Sequence, residues 1–170
     1  RVWSTKEGEQ RFDSHTDKLT NYIRFWQADG ESEKTSIRTS TRMGQIVEDG
    51  FYTGGSCPYG YKLVRQGRVN KRGHELYDLV INEDEAPLVR MIFEKYVEEG
   101  RGAQSIANLL NSLNVKNRSG HNWHPSSIRG MIKNITYIGI LRSGESRSQV
   151  LPHLRIIDEQ TFGAAQEITR

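Results

Sequence analysis

Apolar residues recur at helical spacing in five stretches of the chain and alternate at strand spacing in two. Leu19, Tyr22, Ile23 and Trp26 fall at i, i+3, i+4 and i+7, the stripe of an amphipathic helix, with Asp17 placed to cap its start. Carried onward in steps of three or four, the same stripe meets Gly30, Glu33, Ile37, Ser40, Gly44 and Val47, a seam poor in apolar bulk. Two readings stay open: the helix ends near Gly30, or it continues as a long solvent-crossing rod. In the second reading Lys34, Arg38 and Arg42 stack at i, i+4 and i+8 on one face, a row suited to phosphates.

Gly50, Gly54, Gly55, Pro58 and Gly60 then punctuate the chain too densely for a helix or central strand, which predicts a linker or boundary. Tyr61, Leu63 and Arg65 alternate with Lys62 and Val64, residues 75–81 alternate again, and the two runs read as a β-hairpin. Over 85–97, Val89, Ile92, Phe93 and Tyr96 restore the helical stripe, with Asp84 as N-cap, Pro87 in the first turn, and Gly100 and Gly102 as the stop. A third stripe holds Ile106, Leu109, Leu110 and Leu113 and closes at Asn114. A fourth starts near Pro125 and carries Ile128, Met131, Ile132 and Ile135. TYIGILRSG and SQVLPHLRII read as a short strand pair, and a last helix starts near Asp158 with Phe162, Ala165 and Ile168. The predicted class is α+β, mainly α: a long N-terminal helix, then a compact helical domain with helix-turn-helix-like helices and a small β-hairpin or sheet.

At 170 residues the chain has room for one domain, or one domain and a long appendage. Hydrophobic residues at 35%, charged residues at 26% and a mean hydropathy of −0.70 describe a polar chain with a modest core. No apolar run approaches the ~18 residues of a membrane span, and the start, RVWSTKEGEQ, has no hydrophobic signal segment. The single cysteine, Cys57, excludes an internal disulfide and a four-cysteine zinc site. A reducing, cytoplasmic compartment is therefore expected, with no membrane partner. Arg1 in place of an initiating methionine leads to the expectation of a piece cut from a longer protein.

The net charge of +3 implies little, but its distribution does. Across 101–155, Arg101, Lys116, Arg118, Arg129, Lys133, Arg142, Arg147 and Arg155 face Glu145 as the only acid. Just upstream Glu83, Asp84, Glu85, Glu94, Glu98 and Glu99 outweigh Arg90 and Lys95. Of the helix pair at 104–113 and 126–134, the second offers Ser126, Ser127, Arg129, Gly130, Lys133 and Asn134 on its polar side, small or basic and without an acid. Such a face suits a DNA major groove, although the connection of about a dozen residues is longer than a strict helix-turn-helix turn. An ordinary helical core with a solvated face is the competing reading.

Other candidate chemistry is thinner. The loop residues Lys116, Arg118, His121, Asn122, Trp123 and His124 mix cations with an aromatic, as where chains touch phosphates or bases, while Trp123 itself reads first as a core anchor. His121, His124 and the distant Cys57 lack an evident fourth ligand, so neither metal nor cofactor is expected. GGSCPYGY lacks the Lys-Ser/Thr ending of a phosphate-cradling loop. Ser14, His15 and Asp17 are better explained by helix capping than as a triad, and hydrolase chemistry has no support.

Laid out in order, the segments GFYTGGSCPYGYKL, LVINEDEAPLVRMIFEKYVEEGRGAQSIANLLNSLNVKNRSGHNWHPSSIRGMIKNITYIGIL and HLRIIDEQTFGAAQ resemble the large serine recombinases, the integrases and transposases of phages and mobile elements. They match the module that follows the catalytic domain in that family and cover most of the chain from Gly50 onward. The stretch NYIRFWQADGESEKTSIRTSTRMGQIVEDG looks like the linking helix, and RVWSTKEGEQRF like the end of the catalytic domain. The resemblance implies three parts: 1–16 the catalytic domain's trailing end, 17–49 the long linker helix, and 50–170 the recombinase DNA-binding domain.

It further implies binding to attachment-site DNA while a separate domain cuts through a serine nucleophile, with a 5′-phosphoserine intermediate. The family's Tyr-x-Arg-x-Ser motif does not occur here, nor does its cysteine-rich zinc ribbon, so no catalytic residue is assigned and this segment is not expected to cut DNA alone. The implied partners are double-stranded DNA, the protein's own catalytic domain, and further copies in a dimer or tetramer. Arg129, Lys133, Ser126, Ser127 and Asn134 are expected in the major groove, and Lys116 and Arg118 on nearby phosphates, with Lys34, Arg38 and Arg42 along the helix. Residues 41–55 are expected to follow the minor groove, through Arg42 and the small Gly44, Gly50, Gly54 and Gly55. Two competitors remain: a winged-helix-type transcriptional regulator, and a protein-interaction or dimerisation module.

Overall fold

Helix α1 runs unbroken over His15–Glu48 in the computed structural model, which describes residues 2–4, 8–10, 14–70 and 73–169. The second of the two readings of this stretch therefore holds. Its start is a reciprocal capping box: the Asp17 N–H donates to Ser14 Oγ (3.0 Å) and the Ser14 N–H to Asp17 Oδ2 (3.2 Å). Ser14, rather than Asp17, thus occupies the cap, with Asp17 reaching back to it. Beyond Gly30 no proline interrupts, and Thr35 and Thr39 donate their hydroxyls to the carbonyls of Glu31 and Thr35, each at 2.9 Å. The apolar stripe is helical as predicted but unburied: Tyr22 is 71% and Trp26 72% exposed.

The chain divides into two compact units, Arg1–Arg42 and Met43–Arg170. In the first, strands β1 (Val2–Ser4) and β2 (Gly8–Gln10) pair antiparallel ahead of α1; the remainder of the expected 1–16 segment up to Asp13 lies outside the described residues.

In the second unit the hairpin forms as β3 (Tyr61–Val69) against β4 (Glu75–Ile81), with Tyr61 opposite Ile81 and Arg65 opposite Tyr77. Four helices follow: α2 (Ala86–Val97), α3 (Ala103–Ser112), α4 (Pro125–Ile132) and α5 (Glu159–Thr169). Their predicted stripes supply the core through Val89, Ile92 and Phe93, Ile106 and Leu110, Ile128 and Ile132, and Phe162 and Ala165. Val47, from the last turn of α1, joins them. The class is α+β, mainly α. No helix among the described residues is long and apolar enough to cross a membrane.

Two expectations change here. The N-cap of α2 is Glu85, not Asp84, and it makes no side-chain cap bond, because its carboxylate is turned toward other partners. The strand pair expected near the C-terminus shrinks to two-residue strands, β5 (Arg142–Ser143) and β6 (Ser146–Arg147), plus one bridge between Ile138 and Arg155. Short 3-10 turns over Ile135–Tyr137 and Pro152–Leu154 occupy the rest, the latter starting at a proline that cannot donate to a ladder.

Two buried tyrosines lock the hairpin to these turns. Tyr61 Oη lies 2.6 Å from Thr136 O and 2.8 Å from Leu154 O, so its one hydrogen is shared between them, and Tyr137 Oη donates to Tyr59 O at 2.8 Å. Their rings stack at 5.7 Å, and Phe93 meets Tyr137 edge-on. Burial pushes both phenols far above their ordinary range, which keeps each a donor. Replacing Tyr61 with Phe removes the one hydrogen that the Thr136 and Leu154 carbonyls share while preserving the ring; Thr136 O keeps the Gly139 N–H at 2.9 Å. Tyr61→Phe is expected to lower unfolding free energy by about 1–3 kcal/mol in denaturant titrations. An unchanged midpoint would show that the hydroxyl is dispensable.

Candidate nucleic-acid interface

The site is built on α4, and its mounting begins at Trp123. The Asn111 carboxamide on α3 pairs with the Trp123 backbone in both directions: the Trp123 N–H donates to Asn111 Oδ1 (2.8 Å) and Asn111 Nδ2 donates to Trp123 O (3.0 Å). Trp123 is 5% exposed and sits edge-on to Tyr59 at 4.9 Å, so the core-anchor reading of it is the correct one. Next, His124 takes the cap position of α4, its Nδ1 accepting the Ser126 N–H at 3.3 Å and lying 2.7 Å from Ser126 Oγ. At the far end, Gln166 of α5 donates from Nε2 to Ile132 O at 2.7 Å, satisfying a carbonyl of the last turn.

This mounting fixes which side of α4 faces out. Ile128, Met131 and Ile132 are buried, whereas Ser126, Ser127, Arg129, Gly130 and Lys133 are exposed. Among the described residues no carboxylate pairs with Arg129 or Lys133. Asn134 is half-buried, its Oδ1 accepting the Thr136 N–H at 3.0 Å. An α-helix with its side chains is about 10–12 Å across, close to the ~12 Å width of a B-DNA major groove. Of the other basic residues over 101–155, Arg101 pairs with Glu99, while Lys116 reaches only Asn122 Oδ1, at 2.6 Å. Arg147 and Arg155 are exposed.

Arg118 is engaged within the fold. Its guanidinium grips both carboxylate oxygens of Glu85, Nε to Oε1 at 2.9 Å and Nη2 to Oε2, and donates also to the carbonyls of Cys57 (3.2 Å), Pro58 (3.3 Å) and Tyr61 (2.7 Å). It lies 5.7 Å from the Tyr59 ring centroid. With these donors directed inward, Arg118 acts as a clasp within the fold. Glu85 accepts in addition the Gly60 N–H at 2.8 Å. Gly60 has φ +90°, and a Cβ there would stand 2.8 Å from Val89 Cγ2, so only glycine allows this approach.

The connector expected over 41–55 is also shorter than expected, because α1 holds residues up to Glu48. Gly44 is buried, and a Cβ on it would lie 2.6 Å from Ser146 Oγ; the neighbouring Glu48 carboxylate accepts from that hydroxyl at 2.8 Å. Gly50 lies against Leu151. Gly54 and Gly55 alone of the four are exposed with open space around them. In the first unit Lys34, Arg38 and Arg42 share one exposed face of α1. No group of His, Cys, Asp and Glu suited to a metal occurs among the described residues. Sequence reasoning missed Asn111, Glu85 and Gln166; none stands out from the solvated polar residues beside it.

A family model described as Recombinase matches residues 83–170. A putative DNA recombinase of Bacillus subtilis (strain 168) is 32% identical over 117 residues, covering 64% of this chain and 21% of that protein. The chain thus spans about a fifth of the length of this curated relative. Among solved structures, one described as an LSR–DNA complex superposes with a TM-score of 0.60 at 23% identity, over 78% of this chain and 37% of that one. A second, concerned with the sequence requirements of the Listeria innocua prophage attP site, gives 0.51 at 24% identity, over 75% and 49%. At these identities the likeness is one of fold.

Burial alone would raise the Glu85 pKa, but hydrogen bonds from Arg118 and Gly60, the Arg118 charge and Asn82 together hold it below the ordinary value. A carboxylate depressed by folding contributes stability above about pH 4.5, its ordinary value, and that contribution is lost as pH falls through the lower folded value. Glu85→Gln should therefore unfold more easily at neutral pH, by about 1–3 kcal/mol, and lose less stability than the parent between about pH 5 and 3. Parallel pH profiles for the two proteins would sink this account of the clasp.

Proposed function

The chain belongs to the recombinase family, and on that premise we propose that it is the DNA-binding segment of a site-specific serine recombinase, recognising attachment-site DNA during strand exchange. In this reading residues 50–170 are the DNA-binding domain, 17–49 the linker helix, and 1–16 the trailing end of a catalytic domain. Cleavage and rejoining belong to that other domain, working on bacterial or phage DNA in the cytoplasm as a dimer or tetramer of the full protein. The family match and the descriptions of the structural neighbours support the reading; the observation that carries it is the outer face of α4, where Arg129 and Lys133 stand exposed among small residues and, among the described residues, pair with no acid.

Each group then has a task. Arg129 and Lys133 donate to guanine edges or adjoining phosphates, and Ser127 and the amide of Asn134 add neutral donors. Lys116, Lys34, Arg38 and Arg42 contact phosphates, which fixes register and adds affinity without reading sequence.

A mobility shift with the element's own junction duplex beside scrambled DNA tests this. Binding should weaken steeply with salt, the slope of log affinity changing by about 0.9 for each phosphate contact. Lys34→Ala with Arg38→Ala and Arg42→Ala should flatten that slope on both duplexes. Arg129→Ala with Lys133→Ala should also reduce the preference for the junction, by ~1–3 kcal/mol per lost base contact. If that last pair binds the junction as tightly as the parent across the salt series, α4 is not the reading helix.

A further inference from the structure

Gly130 lies inside the eight-residue helix α4, where glycine is the least favourable residue after proline. Several glycines elsewhere in this unit have internal reasons: Gly60 and Gly139 hold positive φ values, and Gly44 admits the Ser146 side chain. Gly130 has neither. Its φ is not positive, it is exposed, and a Cβ built on it would meet no atom within 4 Å. Among the described residues nothing accounts for the missing methyl group.

Two other helix glycines, Gly30 and Gly163, have equally open surroundings. What separates them is charge. Glu159 and Glu167 border Gly163 one turn away on either side, and Glu33 borders Gly30. Gly130 is bordered by Ser126, Ser127, Arg129 and Lys133. It alone of the three sits at the centre of a cationic helix face free of acids, where a polyanion would lie.

We propose that Gly130 is a specificity-determining position, the point at which the α4 backbone comes closest to a base-pair edge in the major groove. With no Cβ in between, the helix seats deeply enough for Arg129 and Lys133 to reach the bases on either side. An alanine would hold the helix off by a methyl group. Sequence-independent phosphate contacts tolerate that displacement, and base contacts do not. This inference rests on the DNA-binding reading and adds to it the residue that sets the depth of insertion.

The test pairs stability with binding for Gly130→Ala and for the control Gly163→Ala, both in the full chain. Each substitution should raise the denaturation midpoint by helix propensity. Gly130→Ala should nevertheless weaken binding to the junction duplex by about tenfold or more while leaving scrambled DNA nearly unaffected, whereas Gly163→Ala should change neither. A Gly130→Ala protein that is more stable and binds the junction like the parent overturns the inference. A lowered midpoint for Gly130→Ala overturns it too, since glycine would then have an internal purpose. If the parent binds neither duplex, the DNA-binding reading fails and carries this inference with it; parent binding with an indifferent Gly130→Ala defeats this inference alone.

Discussion

A partly buried carboxylate is costly unless cations and donors surround it, and Glu85 is surrounded by Arg118, the Gly60 N–H and the Asn82 side chain. The clasp this creates joins three pieces of chain that share no secondary structure. Glu85 opens α2, Arg118 sits in the loop after α3, and the carbonyls of Cys57, Pro58 and Tyr61 belong to the entry into β3. Irregular backbone of this kind cannot hold itself in place, since its polar groups have no ladder to join. A guanidinium suits the task because its planar fork presents several donors at once, two to the carboxylate and the rest to carbonyls. A lysine there would supply the charge without the geometry.

Once that entry is fixed, Tyr61 is held at the point where its hydroxyl bridges the turns at Thr136 and Leu154, and Tyr137 returns a bond to Tyr59. The turn containing Thr136 directly follows α4, so its attachment to the hairpin also limits where α4 ends. The Asn111 pairing with Trp123 limits where α4 begins. A short helix is marginal by itself and derives its order from packing, so these tethers at both ends, with three buried side chains between them, define its orientation. The consequence is chemical. Arg129 and Lys133 project from a rigid base and, among the described residues, meet no carboxylate.

The helices were legible in the sequence because their stripes have the helical period and their ends carry recognisable punctuation, such as Pro125, Gly100 and Asn114 with its positive φ. The continuity of α1 was not, because beyond Gly30 its stripe loses apolar bulk, and only the absence of a proline speaks for helix there. The clasp made by Arg118 was hidden for a different reason. In sequence it sits in a basic, aromatic-containing loop with no acid near it, and its partner lies 33 positions away. The distance between partners along the chain, rather than the identity of the residues, hid the contact. Cap positions were displaced by a residue or more, as at Asp17 and Asp84, because the cap is decided by which side chain is free to turn back.

The contrast between Arg118 and Arg129 also shows why net charge over a stretch is a weak guide to where a polyanion binds. Both arginines belong to the same basic run, yet one meets an acid and carbonyls as the chain folds and the other, among the described residues, meets none. Folding sorts cations by whether topology brings an acceptor to them. Those that find one become part of the scaffold, with most of their field cancelled locally. Those that find none keep their field, and an unpaired cation costs little only at the surface, where water solvates it. A cluster of them on one rigid face, with glycine and serine between rather than glutamate, repels other cations and presents nothing apolar to bury. Its complement is a surface of closely spaced anions with donors and acceptors in fixed order, which describes the groove of a nucleic acid better than the surface of another folded protein.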